Sequence, residues 1–322
     1  MTGESTDGVD EDAGRGELHP DAQAFLEGVE SRGLPSTANL SVESEREQSA
    51  MLVERTEGPD VEEVFDISIP GPDDPIPLRI YRPAGDDGRG VLVYFHGGGW
   101  VLGGLDKMDA ACRHMAVESG RLVVSVNYRH APEHPFPAGL RDCRAATRWV
   151  TENADAIGGD AERVAVGGDS SGGNLAAAVA LSFRDFDGPA LERQLLIYPA
   201  TEHAFDTPSH EENASGYYLE RADSRWFWNH YLGDELDGKH PYASPLRARD
   251  LSGLPPASVL TCGFDPIRDE GIAYARRLSE AGVPVRHHHY SDQIHAFVGM
   301  FVEPMRPHAE EALATMLNDL SE

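Results

Sequence analysis

The segment RVAVGGDSSGGNLAAAVALSFR (163–184) decides how the rest of the chain is read. Its first part is an apolar run of strand length and its last part an alanine-rich run of helical length. Between them stands Gly168-Asp169-Ser170-Ser171-Gly172. A serine at so sharp a strand-to-helix turn is forced into strained backbone geometry that lifts its Oγ off the sheet. Glycines two before and two after it leave room for neighbouring backbone. The helix behind the turn aims its first amides at the same point, where they favour negative charge. A lone G-x-S-x-G is a weak signal, but the flanking strand and helix make a plain Gly-rich turn the lesser reading.

The same βα rhythm extends in both directions. Apolar runs at 90–95, 121–128, 194–199, 257–263 and 283–290 read as strands, and stretches at 108–118, 138–154, 270–282 and 308–320 as helices. The strands are continuously apolar rather than alternating, which predicts a parallel sheet covered on both faces. Upstream, 61–70 and 76–83 read as a hairpin around Gly-Pro-Asp-Asp. One stretch breaks the rhythm: 202–235 carries Phe205, Tyr217, Tyr218, Trp226, Phe227, Trp228 and Tyr231, and reads as an aromatic cap over the sheet's C-terminal edge.

A serine nucleophile needs a base, an orienting acid and donors for an oxyanion. His96-Gly97-Gly98-Gly99-Trp100 follows the strand ending at Phe95, and consecutive glycines let amides face a ligand unobstructed. The expected donors are the N–H groups of Gly98, Gly99 and Ser171, with His96 shaping the loop. The chain has 14 histidines, so placement must choose among them. His295 follows the last strand and Asp265 the one before, on the edge where Ser170 sits. Asp269 and Glu270 are assigned instead to the start of the next helix, where acids suit the dipole.

Composition narrows the function. The 322 residues hold 27 basic and 55 acidic side chains, a net charge of -28, which argues against nucleic-acid and anionic-lipid binding. Only Lys107 and Lys239 are lysines, so the surface predicts a halophilic protein whose self-repulsion is screened by salt. Cys112, Cys143 and Cys262 read as inert thiols of a reducing, cytoplasmic compartment. Residues 1–17 read as an acidic, disordered tail with no signal-peptide core, and no run is apolar enough to span a membrane. Consecutive His287, His288 and His289 would alternate across a strand and cannot converge on one ion, so no metal is expected.

With HGGGW, NYRHAPEHPFPA (127–138), GGDSSGGN (167–174), YASPL (242–246), GFDPIRDEG (263–271) and IHAF (294–297), the chain from about residue 18 onward resembles the hormone-sensitive-lipase-like family of α/β-hydrolase carboxylesterases. The resemblance implies an α/β-hydrolase fold with a mostly parallel eight-stranded sheet and a helical cap. It divides the chain into cap helices at 18–52, a core of 53–201 and 236–322, and the cap insertion 202–235. It carries the nucleophile to Ser170, the acid to Asp265, the base to His295 and the oxyanion amides to Gly98, Gly99 and Ser171. Ser171 stands where alanine is usual, Ala296 where glycine is common, and Asn127 and His130 replace a frequent Asp and Leu.

The implied activity is hydrolysis of short- to medium-chain acyl esters, with no cofactor and, as the family allows, a homodimer. Trp100, Tyr198, Phe205 and Phe297 are the expected substrate-binding residues, with Trp100 and Phe297 at the rim of a compact apolar pocket. Rival readings are a lipase or deacetylase of the same fold, a prolyl-oligopeptidase-type peptidase, and a non-enzymatic small-molecule receptor. The last is disfavoured by the presence of His295.

Overall fold

Val91, Val93 and Phe95 face one helical layer while Leu92 and Tyr94, alternating with them, face the other. That two-sided apolarity is what a central parallel strand requires. The computed structural model describes residues 4–10, 13–52, 57–85 and 88–321. Its strands are β1 (Glu4–Asp7), β2 (Glu63–Ile69), β3 (Ile76–Arg82), β4 (Arg89–Phe95), β5 (Leu122–Val126), β6 (Gly159–Asp169), β7 (Gln194–Ile197), β8 (Ala257–Phe264) and β9 (Val285–Ile294). They form one sheet in the order β1-β9-β8-β7-β6-β4-β5-β3-β2. The run from β9 to β5 is parallel, and β3, β2 and β1 are antiparallel to their neighbours.

Helices α4 (Ala138–Asn153), α5 (Ser171–Asp185) and α8 (Arg268–Glu280) bury Leu140, Leu175, Val179 and Leu278 in one layer. On the other face α3 (Asp109–Ser119) packs against α9 (Arg306–Asn318) through Cys112, Met115, Leu313 and Met316. Toward the N-terminus lie α1 (Pro20–Ser31) and α2 (Val42–Leu52); between β7 and β8 lie α6 (Pro208–Glu212) and α7 (Arg221–Tyr231). These two regions are tied together. Asp223 Oδ1 accepts from Ser36 Oγ at 2.8 Å and from the Ala38 amide at 2.9 Å, and the Trp226 indole donates to the Leu40 carbonyl at 3.0 Å.

The acidic N-terminal stretch departs from the expected disorder. Glu4–Asp7 pairs antiparallel with Arg286–His289 as a ninth strand, added to the eight expected; residues 1–3 and 11–12 lie outside the described ones. Composition misses this because an edge strand is held by backbone hydrogen bonds that any sequence can supply. A side-chain relay adds to it. The Asp10 amide donates to His287 Nδ1, His287 Nε2 bonds Thr261 Oγ1 at 2.8 Å, Thr261 Oγ1 bonds His289 Nδ1 at 2.9 Å, and His289 Nε2 meets the Gly14 carbonyl at 2.6 Å. The Asp10 bond fixes His287 Nδ1 as an acceptor, so each later link must run donor to acceptor with both imidazoles neutral. His288 points to the opposite face, onto Asp319.

Candidate active site

Ser170 occupies φ 55°, ψ −116°, a region that L-residues avoid. The surroundings impose it. Its amide still donates to the Ile197 carbonyl at 2.8 Å, as if β6 continued, while its own carbonyl already accepts from the Asn174 amide of α5 at 3.0 Å. A Cβ on Gly172 would run into the Phe95 carbonyl, and one on Gly168 into both Phe95 and Gly172, so only glycine permits the turn at those points. Strain of this kind costs about 1–3 kcal/mol and persists only where packing over-determines it.

Ser170 Oγ lies 2.9 Å from His295 Nε2, and His295 Nδ1 lies 2.7 Å from Asp265 Oδ2. Asp265 is wholly buried and its other oxygen accepts from the Ile267 amide at 2.9 Å. With Oδ2 fixed as an acceptor, Nδ1 of His295 carries the proton and Nε2 presents a lone pair to the serine. The loop holding Asp265 is clamped by α6: the buried Asn213 amide donates to the Gly263 carbonyl at 3.1 Å and the Asp265 carbonyl at 3.0 Å. Asp269 and Glu270 turn elsewhere. Asp269 accepts from the Ser209 amide at 2.8 Å, and Glu270 accepts from the amides of Thr201 and Glu202 at 2.7 and 3.2 Å.

The glycine loop after β4 is anchored at its first residue. The Gly97 amide and the Tyr94 hydroxyl both donate to Asp169 Oδ1, at 2.9 and 2.8 Å. Gly98 and Gly99 take φ 112° and 58°. Among the described residues, neither of their amides, nor that of Ser171, donates to a protein acceptor outside helices and strands. His96 is fully buried against Tyr128, its Nδ1 set on the Gly97 carbonyl at 2.8 Å, and burial pushes it down to about 3. It is a neutral loop-shaping residue.

A model of the alpha/beta hydrolase fold family matches residues 92–299. The chain is 46% identical over 245 residues to the esterase LipI of Mycobacterium tuberculosis, covering 73% of this chain and 75% of the relative. It is 39% identical to the ethyl acetate hydrolase of Pseudomonas putida over 84% of this chain and 88% of that one. Among solved structures, an ester hydrolase from the metagenome of Lake Arreo, complexed with a bipyridine phosphonate derivative, superposes with a TM-score of 0.90 at 38% identity, over 94% of this chain and 98% of the other. The chain belongs to the hormone-sensitive-lipase-like family of α/β-hydrolase carboxylesterases. It is a serine carboxylesterase.

Two of the expected pocket residues of the carboxylesterase are placed otherwise than at a rim. Trp100 is buried, stacked on Tyr231 at 4.1 Å between ring centres and packed against Trp228, so it supports α7 from below. Phe297 is 0% exposed, in contact with Tyr290 and Tyr198. The cause is Ala296, whose left-handed φ of 70° turns the chain inward directly after His295. Tyr198 does stand beside His295, the two ring centres 4.7 Å apart. Phe205 lines a cleft of about 630 Å³ whose walls include Arg221, Arg225, Lys239, Arg247, Asp206 and Glu235 but none of Ser170, Asp265 or His295. That cleft is charged, not apolar.

Two further residues, to which sequence reading assigns no role, pack against the loops around Ser170 and Asp265. Phe227, one aromatic among seven in the insertion, lies so close over Gly99 that a Cβ there would fall among its ring carbons. Asn213 carries no motif at all. Its signal would have been a lone Asn at the C-terminus of a short helix, where it is usually an ordinary cap.

Proposed function

We propose that the esterase hydrolyses short- to medium-chain acyl esters through an acyl-enzyme on Ser170. The observation that carries this is the hydrogen-bonded line from Asp265 through His295 to Ser170, at 2.7 and 2.9 Å. Ser170 Oγ attacks the ester carbonyl carbon while its proton passes to His295 Nε2, and Asp265 holds the Nδ1–H and the imidazolium that forms. The carbonyl oxygen, now anionic, is received by the amides of Gly98, Gly99 and Ser171. Collapse breaks the C–O bond, and the departing alcohol takes the proton from Nε2. Water then attacks the acyl carbon, giving a proton to His295 Nε2; the bond to Ser170 Oγ breaks, Oγ takes that proton back, and the acid is released. No metal or cofactor enters these steps.

The small-acyl preference is supported by Phe227 over Gly99 and Tyr198 beside His295, which crowd the reacting centre, and by the likeness to an ethyl acetate hydrolase. Residues 18–52 and 202–235 act together as the cap in this reading, supported by the Asp223 and Trp226 bonds that join them. A reducing cytoplasm suits Cys112, Cys143 and Cys262, all buried and unpaired, with burial pushing the Cys112 thiol up to about 12. Among the described residues no helix is long and apolar enough to cross a membrane.

The test is hydrolysis of p-nitrophenyl esters from acetate to palmitate, run beside Ser170→Ala. Turnover is expected to peak at short chains and to vanish in the variant. Undiminished turnover by the variant would mean that another residue attacks the ester, and a palmitate optimum would favour the lipase reading.

A further inference from the structure

Beyond the triad, a second cluster of metal-ligating side chains joins the two ends of the chain. His19 caps α1, Asp21 lies in its first turn, and His308 lies in the first turn of α9. Asp21 Oδ2 stands 2.9 Å from His308 Nε2 and 3.6 Å from His19 Nδ1. One ligand atom from each of the three falls within 4.8 Å of the other two, and the residues are half-buried. The two imidazoles meet edge to face with ring centres 4.3 Å apart.

Hydrogen bonds hold these three groups in place without an ion. The Asp21 amide donates to His19 Nδ1 at 3.1 Å, so that nitrogen presents a lone pair, not a proton. Its neighbour at 3.6 Å is a carboxylate oxygen, also an acceptor. The single lone pair of Nδ1 is engaged by that amide, so an ion bound there would replace the cap bond and bridge Nδ1 to the carboxylate. Ligands bound to a tetrahedral Zn²⁺ at about 2.0–2.1 Å stand about 3.3 Å from one another. The separations of 2.9 and 3.6 Å bracket that figure, and both fit after shifts of a few tenths of an ångström.

We propose that His19, Asp21 and His308 bind one divalent transition-metal ion of the Zn²⁺ or Co²⁺ type, with solvent completing the tetrahedron. Two imidazole nitrogens and one carboxylate oxygen suit Zn²⁺ and Co²⁺ and disfavour Mg²⁺ or Ca²⁺, which prefer oxygen ligands. The helix dipoles of α1 and α9 both turn their positive ends toward the cluster, which lowers affinity and sets the site apart from a tight structural zinc centre. None of the three residues touches Ser170, Asp265 or His295, so the ion clasps α1 to α9 without entering ester hydrolysis. Both imidazoles must be neutral to bind, and affinity falls in acid.

The experiment titrates EDTA-stripped full-length protein with ZnCl₂ by calorimetry and with CoCl₂ by visible absorption, beside Asp21→Asn, His308→Gln and, as a control, His114→Gln. One equivalent is expected to bind, with the intense visible bands of tetrahedral cobalt and a rise in Tm of several degrees in excess zinc. Asp21→Asn and His308→Gln should each weaken binding at least about tenfold, while His114→Gln leaves it intact and all three hydrolyse p-nitrophenyl acetate normally. Should a variant fail to fold, zinc protection of His19 and His308 from diethylpyrocarbonate in the unaltered protein reads the same site. Absence of saturable binding at millimolar zinc, or equal binding by the Asp21 and His308 variants, would overturn the proposal.

Discussion

Phe227 of α7 rests directly on Gly99, the last of the three glycines that follow β4 and His96. The insertion between β7 and β8 thus covers one face of the glycine loop. A side chain at position 99 would have to displace the ring or move the amide.

Gly99→Ala is therefore expected to lower kcat/KM for p-nitrophenyl acetate by about 100-fold or more, the scale of losing one oxyanion donor. Phe227→Ala placed on top of it should restore at least tenfold of that loss, because the added methyl then has somewhere to go. Steady-state kinetics on both single variants and the double variant decide the matter. Additive losses would show that the ring and the loop act independently.

A pH dependence follows from His287 and His289. Burial lowers both, His287 to about 4 from an ordinary 6.5, with His289 and Asp10 as the nearest charged influences on it. Between those values the unfolded chain takes up a proton that the folded chain refuses. Stability is thus full above pH 6.5 and lost as pH falls toward 4. Urea midpoints should drop over that window, with His287 contributing about 1–3 kcal/mol. His287→Gln should flatten the slope, and parallel slopes would refute the assignment.

Ala296 holds φ 70° where glycine would be unstrained. Ala296→Gly is expected to raise stability by up to about 1 kcal/mol, read as a Tm increase of about 2–4 °C in a scanning melt. A fall in Tm would mean that the extra freedom of glycine in the unfolded chain outweighs the relief.

With a net charge of -28, self-repulsion should dominate long-range electrostatics in dilute buffer. Tm and esterase turnover are expected to rise together between low-salt buffer and about 1 M KCl, where the Debye length shrinks to about 3 Å. Equal values at both ends would remove the halophilic reading.

The parts of this molecule that sequence makes legible are those whose causes are local. The turn at Ser170 announces itself because strand, glycines and helix are adjacent in the chain. Asp265 and His295, 30 residues apart, can be placed because both follow parallel strands and so share an edge with Ser170. What is not legible depends on where a side chain points after an unusual turn. The inward turn at Ala296 buries Phe297, and the stack under Tyr231 buries Trp100. Strand β1 escapes notice for another reason, since backbone pairing leaves no trace in composition. Asn213 is invisible because both carbonyls it serves lie 50 or more residues away.

That asparagine bears on how such enzymes are rebuilt. Its amide belongs to the insertion between β7 and β8, yet the oxygens it satisfies belong to the loop that holds Asp265. Transplanting another cap between β7 and β8 would remove that donor from both carbonyls and leave Arg268 to serve them, through its guanidinium at Gly263 and its amide at Asp265, at about 0.5–1.5 kcal/mol for each bond lost. A working chimaera would have to import an equivalent donor with its cap. Insertion and core here are one inheritance unit, joined through Asn213 and, beside it, Ser209 and Glu212.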